Sequence, residues 1–180
     1  MRAATIALAL VGLGCSEAGP PRSTAPEDAG PRPVREAWDV GFTVVEGGRT
    51  RARLAAGHLA AYETDSLYTV LDGGEGGAPV TVDLYDDAGQ PLATLRAARV
   101  VYLDGRRRIV ADGAVEVRAT GGRVLTAERV VWDEAERRVT APGRVRFVSP
   151  TESVEGENLT ADERFDTYRL ARITGQATVR

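Results

Sequence analysis

Residues able to do chemistry are sparse in this chain. The one histidine, His58, stands in the Ala-rich stretch "ARLAAGHLAAY" (52–62) with no acid at a useful spacing. No Ser-His-Asp arrangement can be built around it, and a lone histidine is more often an ordinary surface or core residue than a base. Metal ions need gathered His, Cys or carboxylate ligands. Asp86-Asp87 and the pair Glu134 and Glu136 fall in turn-like segments and read as solubilising charge. "DGGEGG" (72–77) lacks the lysine and following helix of a phosphate-binding loop, and reads as a flexible hairpin loop. Nothing selects a catalytic pair of carboxylates from the 26 acids. The chain is therefore read as a non-enzyme with no catalytic residue, no metal site and no cofactor. Arg106, Arg107, Arg108, Arg137 and Arg138 have the geometry to meet phosphate oxygens in pairs, although such residues are more often solvated parts of turns. All 23 basic residues are arginine and the net charge is −3, so nothing points to nucleic acid as a partner.

The elements that would position these residues are announced by a repeat. "LRAARVVYLDGRRRIVADGAVEV" (95–117) and "LTAERVVWDEAERRVTAPGRVRF" (125–147) align without a gap and share ten identities. A third copy, "LTADERFDTYRLARITGQATV" (159–179), is two residues shorter, and a degraded first copy runs from Leu54 to Val82 with Tyr62 in the place of Tyr102 and Trp132. Gly113, Gly143 and Gly175 open the last strand of successive copies. Within the copies apolar and polar residues alternate with a period of two, the mark of half-buried strands. Val80, Val82 and Leu84 share one face; Val115 and Val117 point inward with Glu116 outward. Val145 and Phe147 point inward between Arg144 and Arg146, and Ala177 and Val179 flank an outward Thr178. "LDGR" (103–106), "DEAE" (133–136) and Asp87-Ala88-Gly89 read as turns, and 52–62 is assigned to a strand from its place in the repeat.

Units of this size that cannot bury their own apolar face must stack. The expected fold is all-β: an antiparallel sheet folded over on itself, its interior lined by the inward residues above and by Val131. Two features favour an open or partly filled trough over a closed sandwich. Inward positions are mostly Val, Ala and Leu, with aromatic content only 6%. The chain also reaches Arg180 inside what reads as a strand, "ITGQATVR". That edge, Ile173, Thr174, Gly175, Gln176, Ala177, Thr178 and Val179, would suit a partner's strand, or it is already paired within its own sheet.

Ahead of the repeats, "MRAATIALALVGLGCSEAG" has a basic start, a short apolar run and small residues before Cys15. The run is too short to span a bilayer, and it resembles a bacterial lipoprotein signal, in which the new N-terminal cysteine carries lipid. Residues 16–37 hold five of the nine prolines and should form an extended tether. The organisation expected is an export signal with its lipidation cysteine (1–15), a Pro-rich tether (16–37) and a folded domain (38–180).

An export anchor, a tether, then degenerate Leu-x-Ala-x-x-x-x-Tyr/Trp units closed by Gly-x-Val-x-Val/Phe resemble the lipopolysaccharide-export periplasmic family. The member type most similar is LptC, with LptA and the periplasmic part of LptD as relatives. The resemblance covers roughly 38–180, and it implies a twisted open β-jellyroll that holds the acyl chains of lipopolysaccharide. It further implies partners: the periplasmic domains of an LptF/LptG-type ABC transporter at the N-terminal edge, and an LptA-type bridge protein at the C-terminal edge, joined by strand pairing. Many members are held by a transmembrane helix, whereas this chain would use a lipid, in the inner membrane if the resemblance holds. Independently, walls of Val and Leu could hold acyl chains at about 25 cal/mol per Å² of buried apolar area without directed hydrogen bonds. Two rivals stay open: an adaptor lipoprotein with a filled, closed sandwich that binds only protein, and a carbohydrate-binding solenoid using Trp132 and Tyr102 as an exposed platform.

Overall fold

The repeat is realised as a meander. The computed structural model describes residues 31–177. Eleven antiparallel strands follow one another: β1 (Arg35–Glu46), β2 (Arg49–Glu63), β3 (Leu67–Asp72), β4 (Val80–Tyr85), β5 (Pro91–Ala97), β6 (Arg99–Leu103), β7 (Arg108–Ala119), β8 (Arg123–Asp133), β9 (Arg138–Val148), β10 (Glu152–Asp162) and β11 (Tyr168–Ala177). β3 and β4 lie end to end along β2, with Leu71 opposite Leu59 and Val82 opposite Leu54. β5 and β6 lie end to end along β7, with Leu95 opposite Val117 and Val100 opposite Ala111. Counting each couple as one, eleven strands less two make nine successive passes up and down one sheet. Two passes and their turn span about thirty residues, which is the period seen in the sequence.

The irregular positions of the passes line up. Asp39 (φ 52°) lies opposite Gly57. The amide of Gly73 donates to Ala98 O, and that of Ala98 to Gly113 O, each at 3.0 Å. Gly113 and Ala114 then face a register shift in β8, and Gly143 donates its amide to the Asn158 side chain at 3.0 Å. Arg172 (φ 51°) completes the line in β11. Residues in left-handed conformations bend a strand sharply; they stand at this line in β1, β7, β9, β10 and β11 and, with the irregular positions of the other passes, crease the sheet. One wall beyond the crease contains β3 and β6; the other contains β4 and β5. The crease is tight where β2 crosses it. A Cβ on Gly57 would meet the Gly74 Cα at 2.2 Å, so only glycine fits there.

The two walls face each other over a single core. In the β4–β5 wall, one inward row runs Leu54, Val82, Leu95, Val117, Leu125, Phe147 and Val154. In the β3–β6 wall the matching row is Leu71, Val100, Ala111 and Val130, continued by Ala141 and Leu159. Both rows belong to one buried cluster.

Four expectations are corrected here. "DGGEGG" is not a hairpin loop: together with its turn at Glu75–Gly77 it carries the chain across the crease from β3 to β4. Gly175 is not equivalent to Gly113 and Gly143, because it lies past the bend, paired to Val154. Tyr62 does not take the place of Tyr102. It stacks on Tyr68 (4.9 Å) on the outer face, while Ala61, through Thr69, occupies the row of Tyr102. The first strand opens at Arg35, taking in residues 35–37. The export signal, Cys15 and the tether up to residue 30 lie outside the described residues, as do Thr178 and Val179.

Candidate functional site

The interior is the candidate site, and most of its expected lining is brought together. Val80, Val82, Val115, Val117, Val145 and Phe147 are all at most 5% exposed. Leu84 is half-buried and packs on the same cluster. Ala177 is placed by its backbone pairing with Glu152. Val131 is the exception. The register shift between Ala127 and Val131 moves the alternation by one, so Val130 (2% exposed) and Trp132 face inward and Val131 faces out. A one-residue slip flips every later side chain to the other face.

Of the open or partly filled trough expected, the structure has the partly filled form. Between β9 and the β10–β11 turn the interior is closed by the protein's own side chains. Phe147 of one wall meets Tyr168 (4.7 Å) and Phe165 (6.0 Å) of the other. Phe165 comes from the β10–β11 turn and is 3% exposed; nothing in a period-two reading marks a turn residue as core. Burial, then the Glu152 carboxylate, push the Tyr168 phenol up to about 12. Among the described residues, surface clefts of about 540, 230 and 250 Å³ lie at Val34, Arg35 and 63–67, at the ends of β4 and β5 including Leu84, and along β10–β11 including Thr174, Gly175 and Gln176.

Toward the edges the interior is unfinished. Among the described residues β1 pairs only with β2, and β11 only with β10. Phe42 and Val44 continue the inward rows of Leu54 and Ala52, yet they are 56% and 38% exposed. Ile173 shares the face of Gly175 and is 53% exposed. Apolar side chains are thus aimed inward at both edges with no neighbour among the described residues to cover them. Thr174, Gly175 and Gln176 of the expected partner edge are exposed in β11, paired on one side to Glu155, Val154 and Ser153.

Opposite the crease, the turns of the two walls meet in a seam of ion pairs. Arg164 reaches Asp86 at 3.2 Å, Arg123 reaches Asp166 at 2.7 Å, and Arg137 and Arg51 approach Asp87 and Glu134 at 4.0 Å. Each joins a turn of one wall to the other wall. The backbone amide of Gln90, then that of Ala88 and the Arg164 guanidinium, hold the Asp86 carboxyl below the usual carboxylate range against the opposing effect of burial. The arginines considered for phosphate contact are partly engaged already: Arg107 with Glu134, Arg108 with Asp133, Arg137 with Glu163 and Arg138 with Glu136. Arg106 is exposed in its turn.

His58 does have acids nearby, supplied by neighbouring strands: Glu36 at 3.3 Å and Asp72 at 3.8 Å. They lie on the outer face beside Trp38 (5.4 Å), with no nucleophile among them. Tyr102 and Trp132 share the inward row through Ile109, which removes the exposed carbohydrate platform. Among the described residues no three or more His, Cys, Asp or Glu side chains are gathered to hold a metal, and no helix is long and apolar enough to cross a membrane.

A nine-pass antiparallel meander, creased into two facing walls and open at both edges, is a twisted β-jellyroll. The chain is similar in fold to LptH, described as the LptA-homologous periplasmic component of the lipopolysaccharide transport device of Pseudomonas aeruginosa. The two share 14% identity with a TM-score of 0.55, over 71% of this chain and 95% of that one. No family model matches the chain, and no curated protein sequence matches it.

Proposed function

We propose that the chain is a periplasmic, membrane-anchored, lipopolysaccharide-binding bridge component. It accepts lipopolysaccharide from an ABC transporter and passes it to the next bridge protein. The observation that carries this reading is the unfinished interior: Phe42 and Val44 at one edge and Ile173 at the other face inward while exposed. A partner strand added at either edge would extend both the hydrogen-bonded sheet and the apolar rows. An LptF/LptG-type periplasmic domain at β1 and an LptA-type partner at β11 would do so, with residues 173–179 supplying the second contact. Cys15 would carry the lipid anchor and the residues from 16 up to the start of β1 at Arg35 the tether, in the inner membrane.

In this reading the acyl chains lie along the inward rows that contain Val80, Val82, Leu84, Val115, Val117, Val145 and Phe147, and Ala177 and Val179 are proposed as further contacts. The walls part at the seam to admit them. Apolar burial of about 25 cal/mol per Å² needs no directed bonds, so a chain can slide between successive domains.

A photocrosslinking side chain placed at Val117 or Phe147 in cells should give lipopolysaccharide adducts, and the same group at Glu116 should give none. Equal labelling of the two faces sinks the proposal. The packed middle favours a second reading, an adaptor that binds protein alone through its edge strands. That reading expects no lipid adduct at any of the three positions while capture of a partner persists.

A further inference from the structure

One polar atom inside the walls has no partner. The indole Nε1 of Trp132 is screened from solvent and finds no acceptor among the described residues. Native folds pair nearly all buried donors, and one left alone calls for an explanation. Its position supplies one. Trp132 lies in the inward row that runs Tyr102, Ile109, Trp132, Val139, Ala161 and Tyr168, the row nearest the turns. Toward the crease the next row is purely aliphatic: Leu71, Val100, Ala111, Val130, Ala141 and Leu159. Toward the lip, two residues on from Trp132, Glu134 accepts from Arg107 at 2.7 Å and stands 4.0 Å from Arg51 of the other wall.

From crease to lip the interior therefore grades from aliphatic, through aromatic rings with polar tips, to the paired guanidinium and carboxylate groups of the seam. Aromatic side chains with one apolar body and one polar end favour the level where hydrocarbon gives way to headgroups. We propose that the Trp132 Nε1–H is a ligand-positioning donor for an acyl ester or amide carbonyl of a bound anionic lipid. The chains of that lipid point to the crease and its headgroup lies at the arginines of the lip. This rests on the carrier reading and adds to it a residue and an acceptor. An indole N–H is a donor only, so the site asks for an acceptor, and the proposal places it at the carbonyl oxygen that projects from the chain, an atom that an alkyl ether lacks.

The test compares two phosphatidylglycerol probes of equal chain length on the full-length protein, one with ester-linked and one with ether-linked chains. Wild type should bind the ester probe about fivefold more tightly, the worth of one net hydrogen bond. Trp132→Phe should bring the ester affinity down to that of the ether probe and leave ether binding unchanged. In wild type, the Trp132 indole proton resonance should move downfield with the ester probe and stay in place with the ether probe; this readout needs no variant to fold. If both probes bind wild type equally and the resonance is indifferent to the linkage, the carbonyl site is overturned and the carrier survives. If neither probe nor lipopolysaccharide binds, both fall. If Trp132→Phe weakens both probes alike, the indole is only packing, and the proposal is overturned.

Discussion

Arg164 and Asp86 lie 78 positions apart in the sequence and 3.2 Å apart in the fold. One belongs to the β10–β11 turn and the other to the β4–β5 turn, so their contact ties the two walls together. Arg123 and Asp166 repeat the arrangement with the charges exchanged between walls. A seam built from such pairs closes the interior without sealing it, because partly exposed ion pairs contribute little each and are screened by salt.

Reversing one charge should loosen the seam. Arg123→Asp is expected to lower the urea midpoint and raise binding of an apolar fluorescent dye. Arg123→Asp with Asp166→Arg should restore both, with a coupling of about 0.5 kcal/mol that fades in 1 M salt. Failure of the exchanged pair to recover would mean that the two groups do not act together.

Acid should weaken the fold through three aspartates. The Arg108 guanidinium, then the Glu136 amide, lower Asp133; Gln90 and Ala88 amides with Arg164 lower Asp86. Burial raises Asp162, but the Thr167 hydroxyl and the amides of Thr167, Asp166 and Arg164 outweigh it and leave that carboxyl lowered too. A lowered carboxyl favours the fold in its ionised form. This stability is complete above the ordinary carboxylate range of about 4 and drains away as the pH falls below it. Urea midpoints should be level between pH 7 and pH 5 and fall toward pH 3. Asp162→Asn should start lower and fall less steeply; an unchanged slope would refute the assignment.

Phe165 closes the interior from a turn. Phe165→Ala should cost about 3–5 kcal/mol and increase dye uptake, read by chemical denaturation and fluorescence. A cost below about 1 kcal/mol would show that the space collapses or was never filled.

The crease predicts two glycine substitutions with opposite outcomes. Gly57→Ala drives a methyl into the backbone of Gly73 and Gly74 at 2.2–2.7 Å, and should cost about 3 kcal/mol or prevent folding. Gly41→Ala meets nothing within 4 Å and should be neutral or stabilising by about 0.5 kcal/mol. Thermal midpoints of the two variants decide it.

Removal of residues 173–180 should abolish capture of a bridge partner and leave most of the core intact, since among the described residues β11 pairs only with β10. Undiminished capture would end the edge-pairing proposal.

Much of this architecture was legible in the chain. Thirty-residue spacing reported a pair of passes, and the alternation at Val115, Val117, Val145 and Phe147 reported which face is buried, because those residues lie on one side of a bend. Alternation failed where a pass crosses the crease: the extra residue between Ala127 and Val130 exchanges Val131 for Val130 and Trp132, and a pattern of period two carries no mark of it. Phe165 was invisible for a different reason. A turn residue becomes core only when the opposite wall arrives above it, and the contacts of Arg164 with Asp86 and of Phe165 with Phe147 exist only between segments distant in the chain. His58 shows the same limit, since its acids come from the adjacent strands and not from its own.

The meander also makes length an adjustable quantity. Among the described residues each pass is hydrogen-bonded to the passes before and after it, so one more thirty-residue copy, inserted at a turn, would replace one existing pairing by three of the same kind. It would lengthen the structure by two strand spacings, about 10 Å. Evolution can thus fit such a domain to the width of a gap by counting hairpins, much as a carpenter extends a gutter by adding sections of the same profile.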